Sequence, residues 1–363
     1  MKSRTLTFAA MTVATLAMTI AASAQQIIKF DAPESGTSAY QGTQSTGINL
    51  FSTITGIVTD NSYLSHGFVR IPDGKITNFD APGAVGGTYP AAINDLGVIA
   101  GYYLDTNSVY HGFLYTSGKI TSFDDSQAGT GAYQGTIPLA INNLGVVTGY
   151  YIDGNNVGHS FLRTPDGKIA PFDDSEAGTG AYEGTYALSI NDFGVIAGVI
   201  TDASFVSHGF QRTPDGQITT FDPQGAAGSP YGTQNAVIND FGVLGGYYYA
   251  ANSNVATGFL RTADGKFTAF QAPGAGTGAF DGTYVNAMNL EGATTGYIED
   301  NNYESHAFVR AANGQATTFD IPGQMAVPGT GFGSAGEAIN AAGVVAGRWC
   351  DVNIVFHGFL RIP

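Results

Sequence analysis

The sequence predicts an all-β fold built as a ring. Two observations predict it. One pattern of four short strands recurs seven times, and the last copy lacks a strand that residues near the start of the chain resemble. A recurring Ile-Asn pair marks each copy, at Ile48, Ile93, Ile141, Ile190, Ile238, Met288 (Met-Asn here) and Ile339. A glycine stands eight residues after each: Gly56, Gly101, Gly149, Gly198, Gly246, Gly296 and Gly347. A His-Gly-Phe-like triplet follows, starting at His66, His111, His159, His208, Thr257, His306 and His357. Phe-Asp or its equivalent comes next, at Phe79, Phe123, Phe172, Phe221, Phe270 and Phe319.

Each copy reads as strands a to d, in the second copy Tyr89–Asn94, Val98–Asp105, Tyr110–Thr116 and Lys119–Asp124. Asn94-Asp95-Leu96-Gly97 between a and b is a tight turn, and Pro72-Asp73-Gly74 in the first copy is one between c and d. Such turns make neighbouring strands antiparallel. No segment keeps a helical period. One four-stranded sheet leaves both faces open, whereas stacking copies around an axis covers them. The period of about 48 residues is the size of a propeller blade, so the expected fold is a seven-bladed β-propeller of four-stranded antiparallel blades. The seventh copy ends at strand c, Gly358-Phe359-Leu360-Arg361-Ile362-Pro363. Gln26-Ile27-Ile28-Lys29-Phe30-Asp31 matches the missing strand d, so residues 26–31 are expected to complete the seventh blade and remove two sheet edges.

Residues 1–24 read as a secretory signal peptide. Lys2 and Arg4 precede an apolar stretch from Leu6 to Ile20 and an Ala22-Ser23-Ala24 cleavage pattern. Residues 25–363 then form one seven-repeat domain, with no membrane span and no C-terminal lipid anchor expected. Losing Lys2 and Arg4 makes a formal charge of −15 two units more negative. Such an acidic chain repels phosphate backbones, which argues against nucleic acid and anionic membranes as partners. Cys350 is the only cysteine, so no intrachain disulfide forms and packing must supply the stability.

The His306-Ala307-Phe308 triplet, with the surrounding I-N-x-x-G-x-x-x-G and G-x-x-T-x-F-D elements, resembles the HAF repeat. The resemblance spans essentially the whole chain after the leader. It implies a bacterial protein that is secreted or periplasmic. It implies no activity.

An aspartate lies six residues before the histidine in six copies: Asp60/His66, Asp105/His111, Asp153/His159, Asp202/His208, Asp300/His306 and Asp351/His357. A second follows on strand d at Asp80, Asp124, Asp173, Asp222 and Asp320, with Asp31 filling that place for the last copy. Hairpin register places His66 opposite Asp80 and His111 opposite Asp124, and Asp60 is expected opposite His66. The fifth copy lacks all three members: Thr257, Gln271 and Ala250-Ala251 stand there. The expected role of these Asp–His–Asp rows is structural, tying strand ends together. A divalent metal held by one histidine and two carboxylates is the alternative. No cofactor is otherwise implied.

The b–c and d–a loops leave on one side of such a ring, where binding sites collect. The d–a loops carry Tyr40, Tyr133, Tyr182 and Phe280, suited to a glycan or protein partner, although these rings could instead plug between blades. Glu337, Arg348 and Trp349 break the repeat near the channel, and no partner for Glu337 is identifiable. The expected function is a secreted, monomeric binding or scaffold module. A carbohydrate-active hydrolase or lyase working near Glu337 is the alternative, although a glycosidase needs a placed carboxylate pair.

Overall fold

The computed structural model describes residues 25–228, 231–325 and 332–363; the leader at residues 1–24 lies outside them. All regular structure among the described residues is β. In the second repeat the strands run Thr88–Ile93, Ile99–Leu104, Tyr110–Thr116 and Lys119–Phe123, within a residue or two of the sequence reading. Successive strands of a repeat pair antiparallel. The c–d register places Gly67 opposite Phe79 and Gly112 opposite Phe123, as the hairpin turns dictate. The fifth repeat departs from the pattern, because its strand a is only Val237–Ile238.

At six boundaries neighbouring repeats share a single parallel bridge between strand c of one and the start of strand a of the next, for example Tyr110 with Gly135. Among the described residues, the ladders show none between the first repeat and the second. Gly135 has φ +121°, and a Cβ there would lie 2.0 Å from the Tyr110 carbonyl oxygen. Only glycine lets the two backbones meet this closely. The ladders group into sheets of 8, 12 and 8 strands and do not run continuously around the molecule. Gln26–Phe30 pairs antiparallel with strand c of the seventh repeat, Phe356–Ile362, from Gln26 opposite Ile362 to Phe30 opposite Gly358.

Side chains carry the contacts between repeats. The arginine ending strand c lies over the strand-d phenylalanine of the preceding repeat, as Arg163 does over Phe123 at 4.6 Å and Arg212 over Phe172 at 4.6 Å. The same ring meets the next strand-c phenylalanine edge-on, as in Phe123–Phe161. Phe30 makes both contacts to the first repeat, with Arg70 at 5.0 Å and Phe68 at 6.1 Å. Each such cation–π contact contributes about 0.5–1 kcal/mol.

The Ile-Asn asparagines form a second set of contacts. The Oδ1 of Asn142 accepts from Leu144 N and Val146 N, closing its own a–b turn. Its Nδ2 donates to the carbonyl of Asn191 at 3.0 Å. The same donation runs Asn49 to Asn94, Asn94 to Asn142, Asn191 to Asn239, Asn239 to Asn289 and Asn289 to Asn340. It returns from Asn340 to Asn49 at 3.2 Å. All seven side chains are buried.

Asn142→Ala should lower stability by about 2–3 kcal/mol, because it leaves buried backbone groups without partners. Urea unfolding of the variant and the parent checks this, and an unchanged midpoint would contradict it.

Candidate binding face and channel

The six histidines sit on strand c between two carboxylates. Nδ1 contacts the strand-d aspartate at 2.9 Å for His66–Asp80, His111–Asp124 and His159–Asp173. It lies at 2.6–2.7 Å for His208–Asp222, His306–Asp320 and His357–Asp31. Nε2 lies farther from the strand-b aspartate, 3.6 Å for His66–Asp60 and 3.9 Å for His306–Asp300. The b–c register corrects one expectation. Val58, not Asp60, stands opposite His66, and Asp60 sits two residues nearer the turn. Its Oδ1 accepts from Ser62 N and Leu64 N, so it mainly closes the turn. Asp105, Asp153, Asp202, Asp300 and Asp351 do the same.

The two carboxylates of a row face opposite nitrogens of one ring, so a single ion cannot gather all three. Among the described residues, the His and carboxylate atoms that do converge belong to Asp300, Glu304 and His306, a different trio. In the fifth repeat the ionic link becomes neutral: Gln271 Nε2 donates to Thr257 Oγ1 at 3.1 Å. The sequence reading missed a further member, the threonine opening strand a. Thr88, Thr233 and Thr283 donate to Asp80, Asp222 and Gln271. A Gly-Thr pair at the start of strand a, as at Gly87-Thr88, was the available signal.

The d–a aromatics are on the surface. Tyr40, Tyr133 and Tyr182 are 58, 65 and 74% exposed, and Phe280 is 40% exposed. The three tyrosines do not plug the gaps between repeats, whereas Phe280 packs edge-on against Tyr231 and Tyr249. All four have φ of 63–68°, unusual for bulky residues. The backbone N–H of each donates to a b–c turn, for example Tyr133 N to Ser108 O and Tyr182 N to Asn156 O, both at 2.7 Å. These bonds hold the two loops together and impose the strained backbone. The b–c turns add Tyr63, Phe205 and Tyr303, also exposed and at positive φ. Their Asp-x-x-aromatic spacing went unread in the sequence.

The channel residues occupy β-bulges on strand a. Thr46, Ala91, Leu139, Leu188, Asn286 and Glu337 are the bulged residues, unpaired with strand b. In the fifth repeat Ala236 is buried, and Asn235 and Val237 line the channel instead. A cavity of about 360 Å³ is lined by Thr46, Tyr89, Tyr102, Leu139, Leu188 and Asn286 among others. An adjoining one of about 320 Å³ is lined by Gln44, Ser45, Thr46, Ile57, Glu337 and Arg348.

Glu337 does have partners. Arg348 Nε donates to it at 2.8 Å and Asn286 Nδ2 at 3.0 Å. Burial works against the Arg348 charge, but Glu337 outweighs it and holds the guanidinium above its ordinary pKa. Arg348 also lines a small cavity with Tyr297 and Glu299, whose carboxyl burial pushes up. Trp349 is not a channel residue. Alternation along strand b turns it away from Arg348, and it is buried against Ala307, Ile321 and Phe359, stacked on His357 at 4.4 Å. Burial also pushes the phenols of Tyr150 and Tyr186 up to about 12, so they stay neutral.

No protein-family model matches the chain, and no curated protein matches it. Solved structures do. Virginiamycin B lyase from Staphylococcus aureus is 14% identical, with a TM-score of 0.59 over 93% of this chain and 100% of its own. The BP39L lectin from Burkholderia pseudomallei is 9% identical, with a TM-score of 0.55 over 90% and 96%. A puromycin hydrolase is 12% identical, with a TM-score of 0.55 over 89% of this chain and 52% of its own. At these identities the likeness concerns the fold, which is β-propeller-like.

The rows give stability a definite pH dependence. At His66 and His208 burial opposes the imidazolium charge, yet Asp80 and Asp222 outweigh it; at His306 and His357 the bonds to Asp320 and Asp31 lead. All four sit above the ordinary 6.5. Their contribution is therefore full below that value and is lost as pH rises through the higher folded one. At Asp60 and Asp105 backbone N–H bonds lead and hold the carboxylates below 3.8, a contribution lost as pH falls through the folded value. The melting temperature should therefore be highest at about pH 4–6 and decline toward pH 8. Thermal scans across this range, repeated on His66→Gln and His357→Gln, check it. A parent curve rising from pH 6 to 8 would contradict the sign.

Proposed function

We propose that the chain is a secreted, seven-bladed β-propeller of the HAF repeat type, closed by its N-terminal strand, whose loop-bearing face binds a glycan. One observation carries the glycan reading: Tyr40, Tyr133, Tyr182 and Phe280 stand exposed at strained positive φ, fixed by bonds to the b–c turns. Strained backbone persists where surrounding structure over-determines it, commonly at binding sites. Rigid outward aromatics beside Asn and Asp suit a sugar, whose apolar face stacks while its hydroxyls bond. That one of the similar folds is a lectin supports the reading.

Closure rests on contacts that Phe30 shares with the other strand-d phenylalanines and on Asp31, which serves His357 as Asp80 serves His66. Secretion rests on the leader sequence. A second reading, a hydrolase or lyase at the channel, draws on Glu337 and Glu299, which both neighbour Arg348. The salt bridge weakens it, because Arg348 and Asn286 already occupy the Glu337 carboxylate.

A glycan array and a hydrolysis screen on the mature chain separate the readings. Tyr133→Ala with Tyr182→Ala should weaken glycan binding about tenfold or more while leaving the melting temperature unchanged. Turnover abolished by Glu337→Gln would replace binding with catalysis. For closure, deleting residues 25–31 should lower the melting temperature sharply, since it uncovers strand c of the seventh repeat and removes the partners of Arg70 and His357. An unchanged melting temperature would contradict the ring.

A further inference from the structure

The end of the channel opposite the loop face carries a feature that folding does not require. The a–b turns lie there, each with its asparagine at the first position. In the first five turns the third position holds Phe51, Leu96, Leu144, Phe193 or Phe241. These side chains are 63–75% exposed. The third position of such a turn ordinarily takes a polar residue, and a side chain there buries nothing in its own repeat. The turns are contiguous. Asp95 Oδ1 accepts from Leu50 N, Asn143 Oδ1 from Asp95 N, Asp192 Oδ1 from Asn143 N and Asp240 Oδ1 from Asp192 N, all at 2.7–2.8 Å. The apolar residues therefore form one crown, interrupted only where Glu291 and Ala342 hold the equivalent places. An exposed apolar patch of this continuity marks an interaction surface.

The crown surrounds an acidic well of about 220 Å³. Asp95, Asp192 and Asp240 line it, and no lysine or arginine does. We propose that this face docks a protein segment that inserts a lysine or arginine into the well and seats apolar neighbours on the crown. Charge selects this occupant. A second copy of the chain would bring its own Asp95, Asp192 and Asp240 against the first set, and like charges repel. An anionic lipid surface meets the same repulsion, added to the net charge of −15. Asn143 Nδ2 already donates to Asp95 and Asp192 at 2.9 and 3.0 Å. A cationic side chain would therefore bond foremost to Asp240 while gaining the field of all three carboxylates in a partly enclosed site, where the crown excludes water.

The probe is a phage-displayed library of random short peptides, panned on the mature chain. The triple variant Leu96→Ser, Leu144→Ser, Phe193→Ser serves as counter-target. Selected peptides should carry a lysine or arginine flanked by apolar residues. Their binding should weaken about tenfold or more in the triple variant and in Asp240→Asn, which keeps an oxygen to accept from Asp192 N. Replacing the cation by norleucine should cause a similar loss. Enrichment of peptides without a cation, equal retention on the triple variant, or no enrichment overturns the proposal. Sedimentation showing a dimer that the triple variant loses assigns the face to a second copy. Binding to phosphatidylcholine vesicles that the triple variant loses assigns it to a membrane. Either result also overturns it.

Discussion

Each Ile-Asn asparagine does two jobs with one amide. Its oxygen closes the turn that makes strands a and b a hairpin, and its nitrogen fixes the neighbouring repeat at a set distance. Backbone ladders cannot do the second job, because adjoining repeats share at most one parallel bridge. Removing the amide would therefore orphan donors within a repeat and an acceptor in the next. The crown, the acidic well and the channel bulges all take their positions from this circle of buried amides. The arginine–phenylalanine contacts join repeats at the same end, since Arg163 stands opposite Val147 at the start of strand b. Neither depends on a large core within one repeat, which suits a chain without disulfides.

Much of this was legible because a repeat tests itself. Hairpin register set His66 across from Asp80 through simple turn counting, and the shorter Ser117-Gly118 turn kept the match. The strand-b aspartates were harder to read. Six residues from the histidine they look like cross-strand partners, but the tight b–c turn shifts the register and spends their Oδ1 on backbone N–H groups. Trp349 was misread for a similar reason. Sequence position next to Arg348 says nothing about side-chain direction until strand alternation is known. The Glu337 partnership was hidden because it spans a bulge and two repeats.

Departures from the repeat concentrate in its last three copies. The fifth copy trades its ionic row for a neutral Gln271–Thr257 bond and shortens strand a. The sixth and seventh contribute Glu299, Glu337 and Arg348 to the channel wall. The second to fourth copies keep the wall apolar or phenolic, with Tyr89, Tyr102, Leu139 and Leu188, while the first adds Gln44, Ser45 and Thr46 to the polar side. A symmetric scaffold has thus acquired one polar side without disturbing the amides that hold it, since bulged residues make no ladder bonds. Variation at the bulges is uncoupled from the fold for that reason.

The pairing of Gln26–Phe30 with the last strand has a mechanical consequence. Gln26 stands opposite Ile362, so the chain enters and leaves at the same end of one antiparallel pair. Tension applied between the two ends would load its hydrogen bonds one after another, as a zipper is opened, and not all at once in shear. The strand would then peel away at low force, while the asparagine circle, which crosses every repeat boundary, would bear load only afterwards. A molecule tethered by an end would thus carry its weakest seam beside the tether.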